Sequence, residues 1–269
     1  MKASGMRFSS LVFAVVTMVL GSSFAHAEKQ EFLSDLHQFR LHNFLALNAF
    51  YRYSDSRDRM LQQDINSSIN NATGAMSAVR NSDIGLLSSE DISTLNQEFD
   101  KFRTLMQQNI QDVRTMGYPD LRLLSEMAEQ AHELNQMSTE LYEMAREKSN
   151  LNVDDRVESI RAASVLIAQM LSNYTARSTS SVQQTFQGAT TGIPLNELAM
   201  RFDTLFTRIN AAGTEEEMRA LLQDANSKWS FIRNSYINFN ENNVVFVIDR
   251  YSKGIIDSLE RMIQIIESA

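Results

Sequence analysis

Residues 92–113, ISTLNQEFDKFRTLMQQNIQDV, carry the pattern that decides the fold. Their apolar side chains recur at steps of three and four, as Ile92, Leu95, Phe99, Phe102, Met106, Ile110 and Val113. An α-helix has about 3.6 residues per turn, so these steps place the apolar side chains in one stripe along one face. The stretch is therefore predicted to be an amphipathic helix that buries this stripe.

The same spacing recurs further along the chain. The stripes there are Leu124, Met127, Ala131, Leu134, Met137, Leu141 and Met144, and then Ile248, Ser252, Ile255, Leu259, Met262 and Ile266. Only two prolines and nine glycines interrupt the sequence, which favours long helices. The sequence therefore predicts an all-α fold, in which long antiparallel helices form a four-helix-type bundle with coiled-coil-like seams.

The helix boundaries follow from capping and breaking residues. Helices are predicted over 31–82 with a break near Gly74, and over 89–116, 119–149, 153–187, 194–211, 214–238 and 244–267. Ser88 and Thr214 are each followed three positions later by an acidic residue, as in a capping box. Gly117 is expected to end one helix and Pro119 to open the next.

Residues 1–27 have the composition of a secretory signal peptide. Lys2 and Arg7 form a basic start, residues 8–20 are mainly apolar, and Ala25-His26-Ala27 offers small residues where a signal peptidase reads them. Cleavage is expected after Ala27, which would place the mature protein in the periplasm or outside the cell. The alternative is an uncleaved anchor, but the apolar stretch is shorter than the ~20 residues of a membrane span.

The mature chain is acidic and has no cysteine. Lys2 and Arg7 are two of the 25 basic residues, so 23 remain against 33 acidic residues, a net charge of −10. This balance argues against nucleic acids and anionic lipids as partners. After Ala27 no apolar run is long enough to cross a bilayer, so a soluble protein without stable membrane insertion is expected.

The two halves of the mature chain, residues 28–150 and 151–269, resemble each other weakly. Lys101-Phe102 in the first half parallels Lys228-Trp229 in the second, with apolar residues at matching distances behind each pair. A duplicated three-helix unit would produce two packed or stacked bundles. The alternative is one continuous bundle, whose helices resemble each other only in composition.

The sequence carries no motif of catalysis or cofactor binding. It has no Gly-x-Ser-x-Gly elbow, no glycine-rich phosphate loop and no Rossmann fingerprint. Glu129 and His132 have the Glu-x-x-His spacing of di-iron bundles, but such a site needs the motif twice, and the helix stripe places Glu129 toward solvent. The chain is therefore predicted to be neither an enzyme nor a metalloprotein, and to need no cofactor.

A candidate ligand site lies in the first predicted helix. Arg52, Arg57 and Arg59 lie within about two turns, next to aromatic residues, and Gln63 follows one turn later. Guanidinium groups fit small oxyanions and carboxylates, so these four are candidate ligand-binding residues. The alternative is a solvated face on which the arginines pair with neighbouring aspartates.

A candidate partner surface lies between residues 228 and 251. This stretch holds the only tryptophan and several other aromatic residues around an Asn-rich turn. The candidate contact residues are Trp229, Tyr236, Phe239 and Tyr251. The alternative is that the stretch forms the core between two helices and the turn that joins them.

Arg59-Met60-Leu61-x-Gln63 resembles the Arg-Met-Leu-x-Gln signature in the first helix of nitrate-sensor and pilus-chemotaxis receptor input domains. The helix around Trp229, with the turn and long helix behind it, is similar to the latter part of those domains, so the resemblance covers about a fifth of the chain. It implies a periplasmic, all-helical domain that senses a small molecule or a protein partner, with Arg57 and Arg59 in contact with an anion. The chain departs from the family in having no second membrane span and no cytoplasmic signalling part. Kinship would imply a free-standing bundle that hands its signal to another protein.

These observations predict a non-enzymatic periplasmic binding protein, sensor-input-like, that acts through a small anionic ligand or an envelope protein partner. A homo-oligomer is compatible with this prediction. The first alternative is a structural or assembly factor of the cell envelope, for example for pili or surface polymers. The second alternative is a helical pore-forming protein, for which the stretch around Val244 is the apolar candidate.

Overall fold

The computed structural model describes residues 8–151, 154–179, 193–211, 216–239 and 244–268, with side chains from His26 onward. Within these residues the fold is all-α, and the fold-class prediction is confirmed. Its eight helices are α1 (Phe8–Ser56), α2 (Arg59–Asn81), α3 (Ser89–Met116), α4 (Leu121–Ser149), α5 (Asp155–Ser178), α6 (Leu195–Ala211), α7 (Glu216–Ile237) and α8 (Val245–Ser268).

The first hydrophobic core is enclosed by α1, α2, α3 and α4. Phe39 of α1 meets Phe99 of α3 edge to face, with ring centroids 5.0 Å apart. Phe102 of α3 and Leu134 of α4 are fully buried beside them. These residues come from the stripes that the sequence pattern placed on the inner faces of α3 and α4.

The second core is enclosed by α5, α6, α7 and α8. Its centre is aromatic: the ring centroid of Trp229 lies 4.5 Å from that of Phe202 and 5.9 Å from that of Tyr236. Tyr174 of α5 meets Tyr236 edge to face at 5.5 Å. The described residues therefore form two cores in one chain, and the suggested duplication of a three-helix unit stays a prediction.

Helix α1 belongs to both cores. Leu36 and Phe50 are buried in the first core, whereas Leu41 is buried in the second and Phe44 packs against it. A helix that is apolar on more than one face is stable only when it is covered on those faces. Contacts of α1 with α2, α4 and α5 supply this cover and make it the central helix of the molecule.

The expected signal peptide overlaps the start of α1. Residues 1–7 lie outside the described part of the chain, and residues 8–27 are the first part of α1. Lys29 Nζ donates a hydrogen bond to the Ser149 carbonyl at 3.0 Å. A chain cleaved after Ala27 would therefore keep this contact between the beginning of α1 and the end of α4.

Two of the predicted capping features, the box at Ser88 and the helix end at Gly117, are confirmed, and the placement of Pro119 is wrong. Ser88 and Asp91 form the reciprocal capping box at the start of α3. Gly117 ends α3 with φ 87°, a left-handed conformation that costs glycine little. Pro119 precedes the N-cap of α4, Asp120, instead of occupying the first helical position. Thr214 lies outside the described residues.

Three predicted helix boundaries are wrong, the first of them the start of α1, which lies at Phe8 and not at 31. The first long helix does not break near Gly74: α1 ends at Ser56, Arg57 has φ 56°, and Asp58 caps α2 by accepting a hydrogen bond from the Met60 amide at 2.9 Å. The left-handed Arg57 thus follows the end of α1, and the Asp58 side chain caps the start of α2. Helix α5 ends at Ser178 and not at 187, with Thr179 extended.

The predicted stripes are largely buried, with one exception. All the α3 and α8 stripe positions are buried or half-buried, and so are those of α4 up to Leu141. Met144 is 38% exposed. Glu129 faces solvent as predicted, and so does His132.

Within the described residues, no helix is both long and apolar enough to span a membrane.

One half-buried carboxyl group of α1 predicts a dependence of stability on pH. Burial and the nearby Glu31 raise the pKa of Asp35 from 3.8 to about 6. The folded state therefore binds more protons than the unfolded state between these values, and stability falls as pH rises through them. We expect Asp35→Asn to raise the free energy of unfolding by ~1 kcal/mol at pH 7.5, after allowance for solvent screening.

This gain should be largely absent at pH 4, where Asp35 is protonated in the folded state. Thermal melts at the two pH values measure it, with Asp55→Asn, an exposed position on the same helix, as the control. An equal gain at both pH values would show that the charge of Asp35 is not its cause.

Candidate functional site

Arg52, the first of the predicted ligand residues, points into the molecule. Its Nη1 donates a hydrogen bond to Asp249 Oδ2. Asn48 Nδ2 donates to Asp249 Oδ1 at 2.8 Å, and Thr175 Oγ1 donates to Asn48 Oδ1 at 2.7 Å. Asp249 is only 6% exposed. Arg52 is therefore part of a buried polar network that ties α1, α5 and α8 together.

The other three predicted ligand residues lie at the turn between α1 and α2. Arg57, Arg59 and Gln63 are all exposed. Arg57 lies beside Gly117, and the two line a cavity of about 440 Å³ at the end of α3. The structure thus does not bring the four predicted ligand residues together, since Arg52 faces the core and the rest face solvent.

The predicted partner residues divide between core and surface. Trp229 and Tyr236 are buried: the Trp229 Nε1 donates to Asp203 Oδ1 at 2.8 Å, and the Tyr236 hydroxyl lies 2.8 Å from Ser252 Oγ. Phe239 and Tyr251 are half-buried. A partner that docks on this surface would therefore meet Phe239 and Tyr251, whereas Trp229 and Tyr236 hold the second core together.

A second candidate site surrounds the buried Arg40, which none of the sequence patterns singled out. Arg40 lies on the α1 stripe Leu33, Leu36, Arg40, Phe44 and Leu47, whose steps are again three and four. It is 7% exposed. A guanidinium at a core position is costly unless its charge and its donors are matched.

Within the described residues, no hydrogen-bond acceptor is matched to Arg40. Its Nε is buried without a partner, and its guanidinium carbon lies 4.7 Å from the centroid of the Tyr142 ring. Burial lowers the pKa of Arg40, and the nearby Tyr142, Glu143 and Glu158 offset this only in part. The cation–π contact contributes ~0.5–2 kcal/mol, less than the cost of burying an unpaired charge.

The acids nearest to Arg40 are committed to other groups. The Tyr142 hydroxyl donates to both oxygens of Glu158, at 2.8 and 2.9 Å. Arg161, 1% exposed, donates to the Tyr142 hydroxyl at 3.2 Å and to Glu267 Oε1 at 2.6 Å. Burial lowers the pKa of Arg161, but Tyr142, Glu267 and Glu158 outweigh it and leave that pKa raised.

A cavity of about 550 Å³ opens next to the Arg40 guanidinium. Its other basic lining residues are Arg146, Arg156 and Arg208. Arg146 pairs with Glu143 at 2.5 Å, and Arg156 pairs with Asp154. Arg208, exposed in the last turn of α6, has no acidic partner in the described part of the chain. Arg40 and Arg208 are thus two cations of this cavity that form no salt bridge with a described residue, although the acidic residues Glu143, Asp155 and Glu158 also line the cavity.

A longer groove begins at the same two arginines. It has a volume of about 1290 Å³ and runs between the two bundles, with α4 on one side, α5 and α6 on the other and α1 as its floor. Its floor and sides are mainly apolar, with Phe44, Leu47, Val165, Leu166, Ile193 and Leu205 among them. Both the cavity and the groove are lined by Arg40, Ala162, Leu205 and Arg208. The two spaces therefore meet at the Arg40 site.

Arg40 was not among the predicted site residues, because it is not part of a cluster of arginines close together in the chain. The signal that could have revealed it is a single cation at an inward position of an apolar stripe. Arg208 carries no such signal, since it lies on the exposed face of α6. Its position beside Arg40 depends on how α6 packs against α5.

In the part of the chain that the structure describes, no group of three or more His, Asp or Glu side chains is placed to hold a metal ion. No family model, no curated protein and no solved structure matches this chain. The candidate site is therefore interpreted from its own geometry.

Proposed function

We propose that this protein is a non-enzymatic binding protein that takes up a small anionic ligand at Arg40 and Arg208. The observation that carries the proposal is the buried guanidinium of Arg40, which has a cavity beside it and no acceptor in the described residues. A carboxylate or phosphate would accept hydrogen bonds from the fork of the guanidinium and match its charge. In a site of low dielectric such a pair is stronger than at the surface.

The place of action that we propose is the periplasm, or the outside of the cell, after cleavage behind Ala27. The basic start, the apolar stretch and the small residues at 25–27 support this. A helical bundle with a ligand site would act as a sensor-like input, and it would pass its state to a partner protein.

The first test is a thermal-shift screen of the mature protein with acetate, phosphate, sulfate, nitrate and small dicarboxylates. A ligand that binds only the folded state raises its stability by ~2.7 kcal/mol at a hundredfold excess over Kd. We expect at least one of these anions to stabilise the protein. The effect should vanish in Arg40→Gln and weaken in Arg208→Gln.

Three further variants locate the site. Arg122→Gln removes a surface arginine that pairs with Glu126, and it should leave the shift unchanged. Arg57→Gln and Arg59→Gln test the site that the resemblance to sensor domains implies. If these two remove the shift while Arg40→Gln keeps it, the site lies at the α1–α2 turn and the assignment to Arg40 is wrong. No shift with any anion would refute the proposed function.

One observation favours a protein partner as the second candidate, as in an envelope assembly factor. The Phe231 side chain is 64% exposed and lies against Tyr251, with ring centroids 4.9 Å apart. Exposed aromatic pairs are enriched where proteins bind each other. An envelope protein that co-purifies with the wild type but not with Phe231→Ser would support this function. If it co-purifies equally with both, the surface around Phe231 is not the docking surface.

A further inference from the structure

We infer that the ligand is a single-chain amphiphile, with a carboxylate or phosphate headgroup at Arg40 and an apolar tail in the groove between the bundles. This inference rests on the proposed function, because the headgroup occupies the anion site described above. It adds the tail, and with it the chemical class of the ligand.

The first support is the continuity of the two spaces. The same four residues, Arg40, Ala162, Leu205 and Arg208, line both the charged cavity and the apolar groove. A ligand that pairs with Arg40 thus has an apolar channel directly beside its headgroup. A ligand without a tail would leave that channel to water.

The second support is the size of the groove. Its floor on α1 extends from Arg40 to Tyr51, which is ~17 Å at the helical rise of 1.5 Å per residue. One leaflet of a bilayer has a hydrocarbon thickness of ~15 Å, about the length of one acyl chain. The volume of about 1290 Å³ also exceeds the ~300–1,000 Å³ of a usual small-molecule pocket.

The third support is the apolar surface that the groove leaves uncovered. Phe44, Leu166, Ile193 and Leu205 pack against the second core but remain half-exposed on the groove side. A tail would cover them, and each buried methylene group contributes ~0.8 kcal/mol. The affinity for a ligand should therefore increase with each methylene group of its tail that lies in the groove.

The charges around the groove fix the orientation of such a ligand. Glu129 and Glu133 line the α4 side in the half away from Arg40, and they would repel an anionic headgroup there. Arg201 on the opposite side is paired with Glu197 at 2.8 Å. Glu140, closer to Arg40, is exposed and accepts a hydrogen bond from Gln136 at 3.0 Å. At the Arg40 end the lining holds four arginines against the three acids Glu143, Asp155 and Glu158, so this is the more basic end of the groove and the one that attracts the headgroup.

The test is isothermal titration of the purified protein with butanoate, hexanoate, octanoate, decanoate and dodecanoate, each below its micelle-forming concentration. Affinity should rise about fourfold for each added methylene group and level off once the tail fills the groove. Decyl phosphate distinguishes a phosphate headgroup from a carboxylate. Decanol and decyltrimethylammonium have the same tail without an anionic head and should bind at least a hundredfold more weakly.

Two pairs of variants separate head from tail. Leu166→Gln makes the groove polar and should weaken decanoate about tenfold or more while it leaves butanoate unchanged. Leu221→Gln, at a half-buried position of α7 away from the groove, is its control. Arg40→Gln should abolish binding of every anion in the series, and Arg122→Gln should change none.

The outcomes separate the amphiphile inference from the proposed function. Both proposals are supported if affinity rises with chain length, if Arg40→Gln abolishes binding, and if Leu166→Gln weakens the binding of the long-chain members. Binding of short anions that depends on Arg40 but gains nothing from longer tails overturns the amphiphile inference and leaves the proposed function standing. Equal binding of decanol and decanoate overturns the assignment of the headgroup to Arg40. No binding of any member overturns the amphiphile inference, and the thermal-shift screen with small anions then decides the proposed function by itself.

Discussion

Arg40→Met is expected to make the ligand-free protein more stable while it removes anion binding. The substitution replaces a buried guanidinium without an acceptor by an apolar side chain of similar length, which can pack its sulfur against the Tyr142 ring. Relief of the unpaired charge should raise the free energy of unfolding by ~1–3 kcal/mol. Urea unfolding without ligand measures the gain, and the thermal-shift series measures the loss of binding.

A matched control exists on α3. Arg103 also lies over an aromatic ring, 5.5 Å from the Phe99 centroid, but it is close to Asp100 and about a third exposed. Arg103→Met should change stability by less than ~0.5 kcal/mol. A loss of several kcal/mol in Arg40→Met would mean that Arg40 is a paired structural residue, and the argument for an anion site would fall.

Arg161→Met is expected to have the opposite effect and to destabilise the protein strongly. Arg161 is 1% exposed and joins Tyr142, Glu158 and Glu267. Its removal leaves the Glu267 carboxylate without its donor, while Glu158 keeps the hydrogen bonds from the Tyr142 hydroxyl. Breaking a buried pair from one side costs ~3–5 kcal/mol, which is ~10 °C in the melting temperature of a domain of this size. Urea unfolding and thermal melts measure both quantities.

The cause can be checked with further substitutions. Arg161→Lys keeps the charge but loses the planar fork, so its effect should be intermediate. Adding Glu267→Gln to Arg161→Met should recover part of the loss, because the carboxylate that has lost its donor is then neutral. Arg122→Met, which breaks an exposed pair with Glu126, should cost less than ~1 kcal/mol. If Arg161→Met cost no more than this control, the network would not be a stabilising one.

Arg40 and Arg161 show that the same type of side chain can have different roles at neighbouring positions in the fold. Both are buried, and Arg161 is close enough to lower the pKa of Arg40. Arg161 holds the hydroxyl of Tyr142 and the carboxylates of Glu158 and Glu267. Arg40 is left with the face of the same tyrosine ring. The unequal division of acceptors, and not burial as such, makes Arg40 the candidate ligand residue.

Local patterns were reliable where the physics is local. The stripe from Leu95 to Val113 places one face of α3 in the core, and the Ser88–Asp91 box starts that helix where predicted. Both depend on residues three or four positions apart, which a helix brings together by itself. The break at Arg57 was missed because residues 57–58 can locally either continue one helix or form the turn that Asp58 caps. The packing of α1 against α2 requires the turn.

The sequence by itself determined that this chain is all-α, that it is acidic, and which faces of its helices α3, α4 and α8 are buried. Periodicity and charge are sums over neighbouring residues, so they can be read without knowing the fold. Only the tertiary structure decided that Arg52 is bonded to Asp249, that Trp229 belongs to the core, and that Arg40 and Arg208 meet at one cavity. These pairings join residues far apart in the chain, and the free energy that selects them comes from packing two cores against the shared helix α1.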